Sequence, residues 1–136
     1  MYFLDKEQIQ LVKINNCKKM NYKNPIILVV IIVLISCSKK PNEYAESGKA
    51  KYDNGQFKDA ISDYNKAIEK DPDFLRAYFL RGNAKFKLKK YQAAISDFNT
   101  LIKKDDSFPE AYMNRGVVKV NLNQDAKAIE DFTKAI

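Results

Sequence analysis

The chain has 136 residues, of which 30% are charged and 46% hydrophobic, with a formal net charge of +7 and no histidine. Without an imidazole, Ser-His-Asp and Cys-His catalysis and helix-borne zinc motifs are excluded. From Pro41 onward there are 17 basic and 15 acidic residues, a balance of +2, so overall charge gives no argument for a nucleic-acid partner.

Residues 1–19 include Asp5 and Glu7 and fit no export signal, whereas Met20 is a better start. Two readings are open for them, an over-extended gene start or a disordered leader. Lys23, Asn24 and Pro25 then precede ten consecutive apolar residues, Ile26 to Ile35. A membrane-spanning helix needs about 20, so residues 20–36 are predicted to be the hydrophobic helix of a secretion signal. Its last residues and the next, Leu34, Ile35, Ser36 and Cys37, resemble the lipobox of bacterial lipoproteins. That resemblance implies diacylglycerol on Cys37, cleavage between Ser36 and Cys37, and a lipidated linker over 37–40. Two acyl chains hold a protein to a membrane stably without spanning it. The localisation so implied is the bacterial cell envelope, periplasmic or outer-membrane. The alternatives are an uncleaved anchor or a short buried helix that ends in cysteine. With Cys17 upstream of the cleavage point and Cys37 acylated, no disulfide is expected.

The remainder repeats. Gly48, Gly82 and Gly116 stand 34 residues apart, with Tyr44, Tyr78 and Tyr112 before them and Ala60, Ala94 and Ala128 after them. Tyr64, Phe98 and Phe132 recur at the same interval, and such a period means a stacked array of one small unit. Apolar residues recur at intervals of three and four, so each unit reads as two helices. In the first, Asn54 and Gly55 form the turn between them, and Asp71 and Pro72 end the second helix. The units span 41–74, 75–108 and 109–136. Small residues mark close approach, with Gly48 and Ala60 expected on opposing helices. Ser107, Phe108, Pro109 and Glu110 read as a capping box opening the third unit.

Tyr44, Gly48, Tyr52, Phe57, Ala60, Tyr64, Ala67 and Pro72 of the first unit resemble the tetratricopeptide repeat pattern, as do Tyr78, Gly82, Phe86, Tyr91, Ala94 and Phe98 of the second. The resemblance runs from Pro41 to Ile136. It implies an all-α solenoid of about three helix-turn-helix repeats wound as a right-handed superhelix. Leu101 takes an alanine position, Asp106 the proline position and Asp125 the turn aromatic of the third unit, so looser packing and turns are expected there.

In this family the first helices line a concave surface. Its inward positions fall on Asn42, Ala45, Lys49, Tyr52 and Asp53; on Arg76, Phe79, Asn83, Phe86 and Lys87; and on Glu110, Met113, Val117, Val120 and Asn121. Tyr52, Phe79, Phe86, Met113, Val117 and Val120 would form an apolar floor for an amphipathic helix or extended peptide. Lys49, Arg76, Asn83 and Lys87 would orient it, and the alternative is that some of these side chains pack against neighbouring helices. One family device, a two-carboxylate clamp for chaperone C-termini, places lysine, asparagine and arginine at positions held here by Ala45, Lys49, Leu80, Glu110 and Asn114. The pattern is not met.

The middle unit is the basic one, with 8 basic against 3 acidic residues. Lys85, Lys87, Lys89, Lys90, Lys103 and Lys104 read as a solvated face, an acidic-partner contact or a headgroup contact, and not as a nucleic-acid site. The last unit stops six residues short of a full repeat, and Val118, Ile129, Phe132 and Ile136 are expected to form an open apolar flank. This predicts a fragment with further repeats, or another chain covering that end. The reading is a non-catalytic, lipid-anchored protein-interaction scaffold with no cofactor, no metal and no small-molecule substrate. Its rivals are the docking arm of a longer enzyme and a cytoplasmic repeat adaptor.

Overall fold

The computed structural model describes residues 39–136, so Cys37 and the signal-like stretch lie outside the described residues. Six helices follow one another: α1 (Pro41–Asp53), α2 (Phe57–Lys70), α3 (Leu75–Lys87), α4 (Tyr91–Lys104), α5 (Pro109–Val120) and α6 (Asp125–Lys134). No strand occurs among the described residues. Consecutive pairs form three hairpins that stack as a solenoid. Pro41 and Pro109 open α1 and α5, where a missing N–H goes unneeded. Basic residues occupy every last turn, where they complement the helix dipole.

Within each hairpin the turn has one construction. Gly55, Lys89 and Asn123, which share a repeat position, adopt positive φ of 76°, 57° and 56°. The N–H of Gly55 donates to Tyr52 O at 2.9 Å and that of Gln56 to Lys51 O at 2.9 Å, the two bonds of a Schellman motif. Lys89 and Lys90 repeat the pair onto Phe86 and Lys85, as do Asn123 and Gln124 onto Val120 and Lys119. Tyr52 packs edge-on against Phe57 at 5.2 Å and Phe86 against Tyr91 at 5.8 Å. The third hairpin lacks this ring pair because Val120 and Asp125 stand there, yet its turn keeps the same backbone bonds.

The exit turns correct two expectations. Ser107 does not cap α5, since its hydroxyl donates to Asp105 Oδ1 at 2.6 Å and its N–H to the same oxygen at 3.0 Å. A carboxylate two residues upstream captures the serine in a local turn before the helix can use it. The first exit turn is built alike, Asp73 N–H donating to Asp71 Oδ1 at 2.9 Å. Asp106 in the proline position therefore leaves the turn unloosened. Leu101 is likewise no weakness, being fully buried.

The core is a line of small and aromatic side chains between the helices. Ala60, Tyr64 and Ala84 form one buried cluster, against which Tyr52, Ile61 and Leu80 pack. Ala94, Phe98 and Val118 form the next, with Phe79, Phe86, Tyr91 and Ile95 against it. Val118 is 1% exposed and does not belong to an open flank, because it reaches back onto the preceding hairpin. Three carboxylates are also buried, Asp63, Asp97 and Asp131, again 34 residues apart. Arg81 clasps Asp97 through Nε at 3.0 Å and Nη2 at 2.7 Å, while its Nη1 donates to Asn65 of the previous hairpin at 2.7 Å. Arg115 repeats this arrangement with Asp131 and Asn99.

Candidate functional site

α1, α3 and α5 present their inward faces along one side, and a cleft of about 200 Å³ opens between them. Tyr52, Asn83, Phe86 and Val117 line it, one or two from each repeat, together with Asn114, Phe98 and Val118. The repeat places these side chains side by side because each inward helix restarts at the same phase after 34 residues. Asn114 Nδ2 donates to Asn83 Oδ1 at 2.8 Å, joining α5 to α3. The bond leaves Asn83 Nδ2 and Asn114 Oδ1 to serve as donor and acceptor in an otherwise aromatic and aliphatic depression. Burial, and secondarily Asp53, push the Tyr52 phenol above its usual value, so it remains a neutral donor.

The other predicted groove residues are distributed differently. Met113, Val117 and Val120 are exposed and extend the apolar stripe along α5. Phe79 packs against Phe98 at 6.2 Å and Phe108 at 5.3 Å, within the second core cluster and outside the cleft lining. Ala45 is completely buried and cannot line a surface. Lys49 pairs with Asp53 at 2.7 Å, and that hydrogen bond holds the ammonium above its usual pKa. Arg76 bonds Glu46 at 2.7 Å and Asn42 at 3.3 Å, tying α3 to α1. The two cations nearest the first repeat are thus matched by carboxylates. Lys87, Glu110 and Asn121 are exposed, and Asn121 Nδ2 bonds Val117 O at 2.9 Å.

Asn114, Phe98 and Val118 are the lining residues that the inward-position pattern omits. Asn114 sits one residue from an inward position, and its place among the family's clamp positions was the available signal. A second depression, on the outer side of α4 along Gln92, Ile95, Ser96, Asn99, Thr100 and Lys103, is open and draws on one helix alone. Its polar groups are partly consumed, Thr100 donating to Ser96 O and Asn99 accepting from Arg115. Among the described residues no cluster of His, Cys, Asp or Glu could hold a metal, and no helix is long and apolar enough to cross a membrane.

Comparison with known proteins matches one family model, described as TPR repeat, over residues 48–89, and another, described as tetratricopeptide repeat, over residues 81–136. No curated protein matches the sequence. Among solved structures, the TPR2B domain of yeast Sti1 in its pHsp70 complex has a TM-score of 0.69 at 30% identity, covering 72% of this chain and 78% of that one. The first TPR of Spaghetti (RPAP3) bound to HSP90 peptide SRMEEVD has a TM-score of 0.69 at 29% identity, covering 71% of this chain and 76% of that one. The second TPR of the same protein, with the same peptide, gives 0.69 at 25%, covering 71% and 90%.

Proposed function

The chain belongs to the tetratricopeptide repeat family, and from that premise we propose that its repeats form a non-catalytic scaffold that binds a protein segment in the cleft of α1, α3 and α5. The observation that carries this is the convergence of Tyr52, Asn83, Phe86 and Val117 from three separate repeats on one depression. An apolar floor with one amide pair suits an amphipathic helix or extended peptide, whose main chain the asparagines can bond. The similar Spaghetti domains carry a peptide rich in carboxylates. Here the clamp positions hold buried Ala45, paired Lys49, Leu80, exposed Glu110 and Asn114. The occupant we infer is therefore a segment of low net charge. A displayed peptide library tests it: selected peptides should lose at least about tenfold affinity to Val117→Asp and to Asn83→Ala, while thermal unfolding of both variants stays cooperative. Equal affinity for the variants, or selection of acidic C-termini, would overturn the reading.

The envelope role rests on Leu34, Ile35, Ser36 and Cys37. We propose that Cys37 bears the lipid and holds the repeats at a membrane of the bacterial envelope. Metabolic palmitate labelling and membrane fractionation should both be lost in Cys37→Ala. Retained labelling would remove the anchor and leave a cytoplasmic adaptor.

A further inference from the structure

Of the inward positions on α1, α3 and α5, five carry charge: Lys49, Asp53, Arg76, Lys87 and Glu110. Lys49 and Asp53 pair with each other at 2.7 Å, and Arg76 is held by Glu46 of α1 at 2.7 Å. Lys87 and Glu110 are left over. Both are exposed, and among the described residues neither side chain forms an ion pair or hydrogen bond. They stand at opposite ends of the inward helices. Glu110 shares its repeat position with Arg76, eleven residues before Lys87 (76 to 87), an offset of about 16 Å along the helix axis. One helix spacing, about 8–10 Å, separates them sideways, so the two charges are roughly 18 Å apart. Tyr52, Asn83, Phe86, Asn114 and Val117 of the cleft lie between these ends in the register. The neighbouring turns keep the polarity, with exposed Lys89 and Lys90 after Lys87 and exposed Asp106 before Glu110. Lys103 and Asp125, which oppose it, belong to α4 and α6 and not to the inward helices.

Resting on the cleft as the binding site, we propose that its occupant is an extended protein segment with a carboxylate at the Lys87 end and a cation at the Glu110 end. At about 3.3 Å per residue the two charges are roughly five or six residues apart, with apolar residues between. A wholly acidic segment would set a carboxylate beside Glu110, and a wholly basic one a cation beside Lys87, so like charges exclude both. The amides choose the extended form. Asn83 Nδ2 and Asn114 Oδ1, left over from their mutual bond, call for main-chain partners. An extended segment offers them, whereas a helix has spent its own N–H and C=O groups within itself.

The test takes peptides selected on the protein from the displayed library, which should carry one acid and one base at that spacing. Replacing the peptide's acid by its amide should weaken binding about two- to fivefold on the wild type and not at all on Lys87→Gln. Replacing its base by glutamine should do the same, with Glu110→Gln as the insensitive background. Both losses should shrink at high salt. Because Lys87 and Glu110 are exposed, both variants should melt within a few degrees of the wild type. Val117→Asp separates this proposal from the cleft itself. If that variant loses the peptides while the charge cycles show no coupling, the charge assignment fails and the cleft stands; if it keeps them, both fall. Selection of peptides of uniform charge, or a gain of helical circular dichroism on binding, would also overturn the proposal.

Discussion

A methyl group placed on Gly82 would lie 2.8 Å from Phe98 Cε1, inside the ring's van der Waals envelope. Gly48 stands in the same relation to Tyr64, at 2.5 Å, and Gly116 to Phe132, also at 2.5 Å. The recurring glycine therefore accommodates the aromatic sixteen residues on. In Gly82→Ala the gain in helix propensity, about 1 kcal/mol, is set against overpacking of a fully buried ring, roughly 1–3 kcal/mol. The strain is expected to win because three carbons of the Phe98 ring, Cε1, Cζ and Cδ1, all lie within 3.2 Å of the added methyl. We expect a melting temperature lower by several degrees in thermal unfolding, partly restored when Phe98→Leu is added.

Acid should weaken the fold through the buried carboxylates. Burial would raise the Asp131 carboxyl, but hydrogen bonds from Arg115 and Lys119 outweigh it and hold the group below the usual carboxylate range. Asp63 is held low in the same way, its burial outweighed by Lys51 and Ser47. A group depressed in the folded state contributes stability above its unfolded pKa, near 4, which is lost as pH falls through the folded value. Melting temperatures should hold from pH 7 to 5 as far as these groups decide, then fall below about pH 4. Asp131→Asn should melt lower at pH 7 and show a shallower acid loss. A steep, unchanged acid limb in that variant would disprove the assignment.

Lys89 occupies the left-handed turn position that Gly55 and Asn123 fill elsewhere, at φ 57°. A side chain there costs roughly 1–2 kcal/mol, partly offset by the greater freedom glycine has when unfolded. Lys89→Gly should raise stability by about 0.5–1 kcal/mol in urea titration, with the m-value unchanged.

Among the described residues the Tyr64 hydroxyl is buried with no hydrogen-bond partner, and burial pushes its pKa up to about 12. An unmet buried hydroxyl costs about 1–3 kcal/mol, and phenylalanine stands at this position in the next two repeats. Tyr64→Phe should therefore stabilise the protein, by about 1 kcal/mol, as measured by the shift of its urea midpoint.

Much of the fold was legible because its signals are local. The 34-residue spacing of Gly48, Gly82 and Gly116 and the three-to-four spacing of apolar residues set six helices and three hairpins, and Asn54 with Gly55 marked a turn. Repetition alone could also have singled out Asp63, Asp97 and Asp131, with Arg81 and Arg115 sixteen residues before the last two. What it could not say is that these carboxylates are buried, since a charged residue on an amphipathic helix is ordinarily read as solvated.

The site was less legible for the same reason. Inward repeat positions named Tyr52, Asn83, Phe86 and Val117, which meet in the cleft, and equally Phe79 and Ala45, which do not. Position in a repeat sets a direction from the helix axis. Whether that direction ends in solvent, in a cleft or against another ring depends on the neighbouring hairpin. The sequence by itself determined the helical unit, its period and its turns, because each rests on contacts between residues close along the chain. Tertiary structure decided which faces the stack hides and which stay open, as with buried Val118 and exposed Ile129, because that outcome depends on the helix laid across them.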